Sequence, residues 1–128
     1  MSERLIDPIG IIDDDVLVRE GLKDCMESAG YGVETFGSAE EFLAWTPSRR
    51  PSCLIVDIQL PGMSGLDLQS RLSTLECCVP IVFLTAHETD AIREQALRNG
   101  AAALLSKPVR REELLNIVNR AMQPQGGR

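Results

Sequence analysis

Residues 53–65 have the sequence CLIVDIQLPGMSG, and their pattern indicates the class of fold. It begins with four apolar residues and then reaches a charge at Asp57. The Pro-Gly pair at 61–62 predicts a turn. Ser64, with Asp67 three positions later, predicts a capping box at the start of a helix. An apolar strand followed by a turn and a helix is typical of a parallel sheet, in which helices cover both faces of the strand.

The same unit recurs on both sides of this stretch. Short apolar runs predict strands at 9–12, 31–36, 53–56, 81–84 and 101–105. Apolar residues at helical spacing predict helices over roughly 15–29, from Ser38 to Pro47, from Ser64 to Leu75, over about 88–99, and from about Arg111 to Met122. This alternation predicts an α/β fold: a single doubly wound (βα)5 domain with a central five-stranded parallel sheet and helices on both faces. We take the sheet to have the order 2-1-3-4-5, which is one of the common orders of doubly wound sheets.

The helical spacing also predicts which side chains face the core. In the first helix the apolar positions are Val16, Leu17, Val18, Leu22, Cys25, Met26 and Ala29. In the last helix they are Leu114, Leu115, Ile117, Val118 and Ala121. Phe42 and Trp45 are interpreted as core packing, and Ser38 with Glu41 as a second capping box.

Composition and charge limit the classes of function. The chain has 128 residues, 44% hydrophobic and 25% charged, which fits one soluble globular domain rather than a disordered or collagen-like chain. A formal net charge of −6 argues against direct nucleic acid contact and against binding to anionic membranes. No apolar run is long enough to span a membrane, and the acidic N-terminus does not fit a secretory peptide, so we expect a cytoplasmic protein.

The cysteines do not indicate a metal site. Cys25, Cys53, Cys77 and Cys78 have no C-x-x-C spacing, and His87 is the single histidine. We therefore expect reduced thiols, and we interpret His87 as a surface residue.

Four of the predicted strands end in polar side chains. Asp13–Asp15 follow the first strand, Asp57 the third, Thr85 the fourth and Lys107 the fifth. Each of these alone also fits a helix cap, a turn residue or a strand exit, and Asp15 is best interpreted as a cap. Because the carboxyl ends of parallel strands share one edge of the sheet, we expect these groups to meet where the strand order reverses. Their joint occurrence favours a functional site.

Carboxylates packed this closely repel one another unless a cation lies between them. Oxygen ligands without His or Cys favour Mg²⁺, with Mn²⁺ as a substitute. A metal, a carboxylate, a hydroxyl and an ammonium group suit phosphoryl transfer, in which Asp57 is the natural nucleophile.

Four ordered motifs resemble one known family. These are IIDDD at 11–15, VDIQLPGMSG at 56–65, LTA at 84–86 and SKP at 106–108, and they resemble the receiver domain of bacterial two-component response regulators. The resemblance covers about residues 8–122, which leaves an N-terminal extension at 1–7 and the start of a linker or flexible tail at 123–128. SAEEFL at 38–43 and TAH at 85–87 are most similar to the FixJ-type branch.

The resemblance implies a role for each residue at the predicted edge. Asp57 would accept a phosphoryl group from a sensor histidine kinase or a small acyl phosphate. Thr85 and Lys107 would bind phosphoryl oxygens, and Thr85 would swing inward after transfer. Small Ala86 would leave space for the phosphoryl group, and the Lys107-Pro108 bond is expected to be cis.

The family also implies a metal site and partners. Asp13, Asp14, Asp57 and the backbone carbonyl of Gln59 would hold Mg²⁺. The domain would catalyse only its own phosphorylation and dephosphorylation, as a switch rather than an enzyme. A C-terminal DNA-binding output domain in the full-length protein and a phosphorylation-dependent homodimer are the expected partners.

Some positions depart from the family pattern. Leu104 stands where the family has an aromatic switch residue, and Val109 where it often has Phe. An alternative is therefore a receiver-like interaction module that works without phosphorylation. A phosphatase of the haloacid dehalogenase type would need a second aspartate as proton donor at the position of Gln59. In the receiver family, Gln59 and His87 occupy positions that tune loss of the phosphoryl group.

Overall fold

The computed structural model describes residues 7–45, 50–75 and 79–123. Strands and helices alternate in the order β1 Ile9–Ile12, α1 Val16–Ser28, β2 Val33–Phe36, α2 Ala39–Trp45, β3 Cys53–Asp57, α3 Gly65–Thr74, β4 Ile81–Thr85, α4 Asp90–Arg98, β5 Ala103–Ser106 and α5 Arg111–Ala121. The strands form one sheet of order β2-β1-β3-β4-β5, and every neighbouring pair is parallel. The predicted fold class and strand order are confirmed.

Two apolar clusters lie on opposite faces of the sheet, because successive strand residues point to opposite sides. In β3, Leu54 and Val56 join the cluster that contains residues of α2, α3 and α4. Cys53 and Ile55 join the other cluster, which contains residues of α1 and α5. Burial on both faces explains why the central strands are apolar throughout rather than alternating.

The predicted core face of the first helix was too wide. Val16 and Leu17 are 55% and 84% exposed, although they begin an apolar run in the sequence. Consecutive helix residues are rotated by about 100° from one another, so three in a row cannot all face the sheet. Ala29 is also exposed, because it is the C-cap residue of α1 rather than part of its buried face. Leu114 and Val118 of α5 are buried, as predicted.

Helix starts follow the predicted capping residues. The Asp15 carboxylate accepts hydrogen bonds from the backbone N–H groups of Leu17 and Val18, which confirms it as the cap of α1. Ser64 forms the full capping box of α3 with Asp67. The box predicted at α2 is only half formed. The Ser38 hydroxyl accepts from the Glu41 N–H, but the Glu41 carboxylate accepts from Gly37 instead of Ser38. The fourth helix begins at Asp90 rather than near residue 88, since Thr89 caps it.

The aromatic residues of α2 pack as predicted. Phe42 is fully buried, and its ring meets those of Phe36 and Trp45 at centroid distances of 5.3 and 6.0 Å. Cys25 and Cys53 are buried free thiols, and burial raises the pKa of Cys53 to about 12. Predictions for Pro47, Cys77, Cys78 and most of the two predicted terminal segments fall outside the described residues. No helix in the described ranges is long and apolar enough to span a membrane.

Candidate functional site at the carboxyl edge of the sheet

The predicted polar residues meet at one edge of the sheet, where β1, β3, β4 and β5 end. Asp13 directly follows β1, Asp57 is the last residue of the neighbouring β3, and the two are 1% and 6% exposed. The Lys107 ammonium lies 3.1 Å from Asp13 Oδ2 and 3.1 Å from Asp57 Oδ2. One lysine therefore bridges two buried carboxylates. This contact is expected if the strand-end residues form one site, and it is not expected if each of them is an isolated turn residue. The Lys107-Pro108 bond that follows is cis, as predicted.

Hydrogen bonds hold Asp13 on its backbone and on its side chain. Its N–H donates to the Phe36 carbonyl at 3.1 Å, and its own carbonyl accepts from Arg19 Nη1 at 2.8 Å. Its Oδ1 accepts from the Asp15 N–H at 2.9 Å, which leaves Oδ2 for Lys107. Such complete pairing offsets the desolvation of a buried carboxylate and fixes its direction.

Burial and pairing act in opposite directions on the charges at this edge. Burial raises the pKa of Asp57 above its ordinary value, and the hydrogen bonds from the Gln59 N–H and Lys107 only partly oppose that shift. For Lys107, burial lowers the pKa, but the hydrogen bonds and charges of Asp13 and Asp57 outweigh it, so the pKa is raised overall. The lysine therefore stays charged at neutral pH.

Three carboxylates lie close enough together to hold one cation. Single oxygens of Asp13, Asp14 and Asp57 all lie within 4.8 Å of one another. Asp14 is exposed whereas the other two are buried, so the group is open to solvent on one side. An all-oxygen cluster with an open side fits a hard divalent cation that keeps part of its water shell.

The Thr85 hydroxyl lies at the same edge but does not bond to this cluster. It donates to Gln59 Oε1 at 3.0 Å and accepts from the His87 N–H at 3.0 Å. The Gln59 side chain is neutral and points to Thr85, so it offers no acidic proton donor of the kind a phosphatase would need. His87 is exposed, as the sequence predicted.

Two contributors to this edge were missed from the sequence. Arg19 holds the Asp13 carbonyl from one turn inside α1. Glu88 follows β4 and bonds to Arg93 and Ser106, at 2.9 and 2.5 Å. Both are charged residues on solvated elements, and nothing in the sequence distinguishes them from ordinary surface charges.

Comparisons with known proteins agree with this geometry. A protein-family model, that of the response regulator receiver domain, matches residues 9–119 of the chain. The chain is 42% identical to nodulation protein W of Bradyrhizobium diazoefficiens over 108 residues, which is 84% of this chain and 48% of that protein. It is 31% identical to the transcriptional regulatory protein FixJ of the same species over 90% of this chain and 56% of FixJ.

A solved structure gives the same result. The response regulator StyR superposes with a TM-score of 0.82 at 39% identity, covering 91% of this chain and 60% of StyR. The chain thus spans about half the length of the curated relatives it matches. It belongs to the family of response regulator receiver domains.

Proposed function

We propose that this domain is a phosphorylation-dependent signalling switch in which Asp57 is the phosphoacceptor. The donor is the phosphohistidine of a sensor histidine kinase or a small acyl phosphate. The observation that carries the proposal is the placement of Lys107, 3.1 Å from both Asp13 and Asp57 at the carboxyl edge of a parallel sheet. A buried carboxylate beside a fixed ammonium group and an open acidic cluster is suited to accept a phosphoryl group.

The transfer needs only positioning and charge neutralisation. A carboxylate oxygen of Asp57 attacks the phosphorus, and an O–P bond forms while the P–N bond to the kinase imidazole breaks. The imidazole leaves with the electron pair. Lys107 binds one phosphoryl oxygen from where it already stands, and Thr85 binds another after its hydroxyl leaves Gln59. The domain catalyses this step and the later hydrolysis only on itself, so it is not an enzyme with a separate substrate.

The metal proposed for the acidic cluster is Mg²⁺, for which Mn²⁺ can substitute. The carboxylates of Asp13, Asp14 and Asp57, with the backbone carbonyl of Gln59, would hold it. When bound, it would supply positive charge that offsets the charges of the carboxylates and of the incoming phosphoryl group. The spacing and oxygen chemistry of the three carboxylates support this assignment.

The relatives support a longer protein with a transcriptional output. FixJ is a transcriptional regulatory protein, and this chain covers about half of it. We assign residues 8–122 to the receiver, 1–7 to an N-terminal extension and 123–128 to the start of a linker toward a C-terminal DNA-binding domain. The receiver, with a net charge of −6, has no direct nucleic acid or membrane contact. It works in the cytoplasm, where phosphorylation changes its partner or homodimer surface.

Intact-mass spectrometry with acetyl phosphate tests the proposal. We expect one phosphoryl adduct on the wild-type chain that requires Mg²⁺ and is lost in Asp57→Asn. The matched control is Asp90→Asn, which removes an exposed carboxylate at the start of α4 and should leave the adduct unchanged. An absent adduct, together with no binding of beryllofluoride, would overturn the switch and leave a receiver-like interaction module that works without phosphorylation.

A further inference from the structure

The hydroxyl of Thr85 is fully engaged by groups other than Asp57 and Lys107. It has one hydrogen to donate, and that hydrogen goes to Gln59 Oε1. It also accepts from the His87 N–H, which belongs to the loop of residues 86–89 between β4 and α4. For the hydroxyl to bind a phosphoryl oxygen on Asp57, the bond to Gln59 must break and the His87 backbone must either release Thr85 or move with it.

Three polar side chains tie this loop to its surroundings, and we call them the Glu88 tether: Glu88, Arg93 and Ser106. Glu88 Oε2 lies 2.9 Å from Arg93 Nη1 in α4, and Glu88 Oε1 accepts from the Ser106 hydroxyl of β5 at 2.5 Å. Arg93 Nη1 also donates to the Leu104 carbonyl of β5 at 3.4 Å. The tether thus joins the loop, α4 and β5 immediately after the residue whose N–H holds Thr85.

The tether differs from an ordinary surface pair. The Glu94–Arg98 pair on the same helix spans 3.5 Å within one helix, with both side chains 71% exposed. Glu88 uses both carboxylate oxygens on two different elements, and its side chain is 31% exposed. A bond within one helix cannot fix a loop, whereas a carboxylate shared between a helix and a strand restricts the backbone that carries it.

We propose that Glu88 is a positioning residue for Thr85: the Glu88 tether holds the His87 N–H in place and so keeps the Thr85 hydroxyl at Gln59, away from the phosphoacceptor. The inference rests on the proposed function and adds a barrier to it. Phosphorylation of Asp57 must overcome the tether before Thr85 can bind the phosphoryl group. The same movement would loosen the junction of α4 and β5, so the tether links the reaction to that surface.

The affinity for beryllofluoride, measured by titration in the presence of Mg²⁺, tests this link. We expect Glu88→Ala to tighten binding about two- to fivefold, as loss of a partly exposed ion-pair network allows. Glu88→Gln keeps an oxygen acceptor for Ser106 and should recover part of the wild-type affinity. Glu94→Ala is the matched control, since it removes the same charge from α4 and should change nothing.

A double-mutant cycle with Thr85→Val separates positioning from general loosening. Val has the shape of Thr without the hydroxyl, so Glu88→Ala should not alter beryllofluoride affinity in that background. An equal effect of Glu88→Ala with and without the Thr85 hydroxyl would overturn the proposal, as would no effect in the wild-type background.

Amide hydrogen exchange gives a second readout that needs no phosphoryl chemistry. Glu88→Ala should speed exchange at the His87 N–H, and Glu94→Ala should not. If the wild-type chain binds no beryllofluoride, the proposed function fails. In that case hydrogen exchange still tests the positioning role of Glu88. Faster exchange at the His87 N–H in Glu88→Ala would support that role, and unchanged exchange would contradict it.

Discussion

Asp13 and Asp57 lie buried under Lys107 at the ends of β1 and β3, whereas the loop of residues 86–89 that follows β4 is exposed. Buried ionic groups hold their geometry strongly, because leaving one of them unpaired is costly. Exposed pairs exchange with water at little cost. The comparison indicates a site whose charges are fixed by burial, whereas the buried Thr85 hydroxyl is held through the exposed loop, which can move.

Replacing Lys107 should destabilise the buried, charged part of the site, which consists of Asp13, Asp57 and Lys107. Lys107→Met leaves two buried carboxylates facing each other, so we expect the free energy of unfolding to fall by about 3 kcal/mol at neutral pH. The raised pKa of Lys107 means that the wild-type contribution is fully present there and is lost only as the pH rises through that pKa. Urea unfolding measures the change, and added Mg²⁺ should reduce it.

The control is Lys23→Met, a half-buried lysine of α1 that makes no ion pair with any described residue. We expect it to change stability by less than about 0.5 kcal/mol. Equal losses of unfolding free energy for the two variants would show that Lys107 acts as an ordinary surface charge. The buried charges would then not be held in place by Lys107.

A methyl group at Gly65 should disturb the backbone that carries Asp57. A Cβ at Gly65 would lie 2.8 Å from the Asp57 carbonyl oxygen and 2.9 Å from Ile58 Cα, and backbone atoms cannot yield cheaply. We expect Gly65→Ala to lower the free energy of unfolding by about 2 kcal/mol. Gly21→Ala in α1 meets no atom within 4 Å and should raise it by about 0.5–1 kcal/mol. Chemical denaturation of both variants measures these changes. Changes of the same sign in the free energy of unfolding would contradict the close approach of the backbone at Gly65.

The two helix caps beside the site offer a comparison in which both sides should behave alike. Asp15 caps α1 next to the acidic cluster, and Thr89, the last residue of the exposed loop, caps α4. Asp15→Ala and Thr89→Ala should each cost about 1 kcal/mol in thermal or urea unfolding. Asp15→Ala should also leave Mg²⁺ affinity unchanged in calorimetry, because its carboxylate is not in the acidic cluster. A tenfold loss of Mg²⁺ affinity would make Asp15 a ligand instead.

The apolar runs and the charges that end them predict most of the fold and the location of the site. Asp13, Asp57, Thr85 and Lys107 follow strands whose period is unambiguous, and parallel strands place their ends together. The bond from Thr85 to Gln59 was not predictable, because it depends on a side-chain rotamer and on loop geometry. Periodicity likewise finds apolar faces but not their width, which is why Leu17 was misplaced.

The hydrogen-bond partners of two charged residues, Arg19 and Glu88, were not predictable from the sequence either. Arg19 reaches a backbone carbonyl six residues away, and Glu88 reaches a strand eighteen residues away. Neither spacing matches a helical or strand period that a sequence pattern would reveal.

The pH dependence of stability gives the smallest expected effect. It tests how the ionisation of the buried Asp57 carboxyl changes the free energy of unfolding. Burial raises the pKa of Asp57 above the 3.8 of an unfolded carboxyl, so the folded chain binds a proton more tightly than the unfolded chain. Without metal, this group should make the free energy of unfolding fall as the pH rises from 3.8 through the raised pKa. Asp57→Asn cannot titrate, so its stability relative to wild type should increase over that window and then level off.

Urea unfolding at a series of pH values in EDTA measures this difference. Asp67→Asn is the control, because the Asp67 side chain caps α3 away from the cluster. A difference between Asp57→Asn and wild type that stays flat with pH would mean that Lys107 fully compensates the burial of Asp57. A difference that shrinks with rising pH would reverse the sign and make Asp57 a net stabilising charge, in which case the buried pair would contribute to folding as well as to the site.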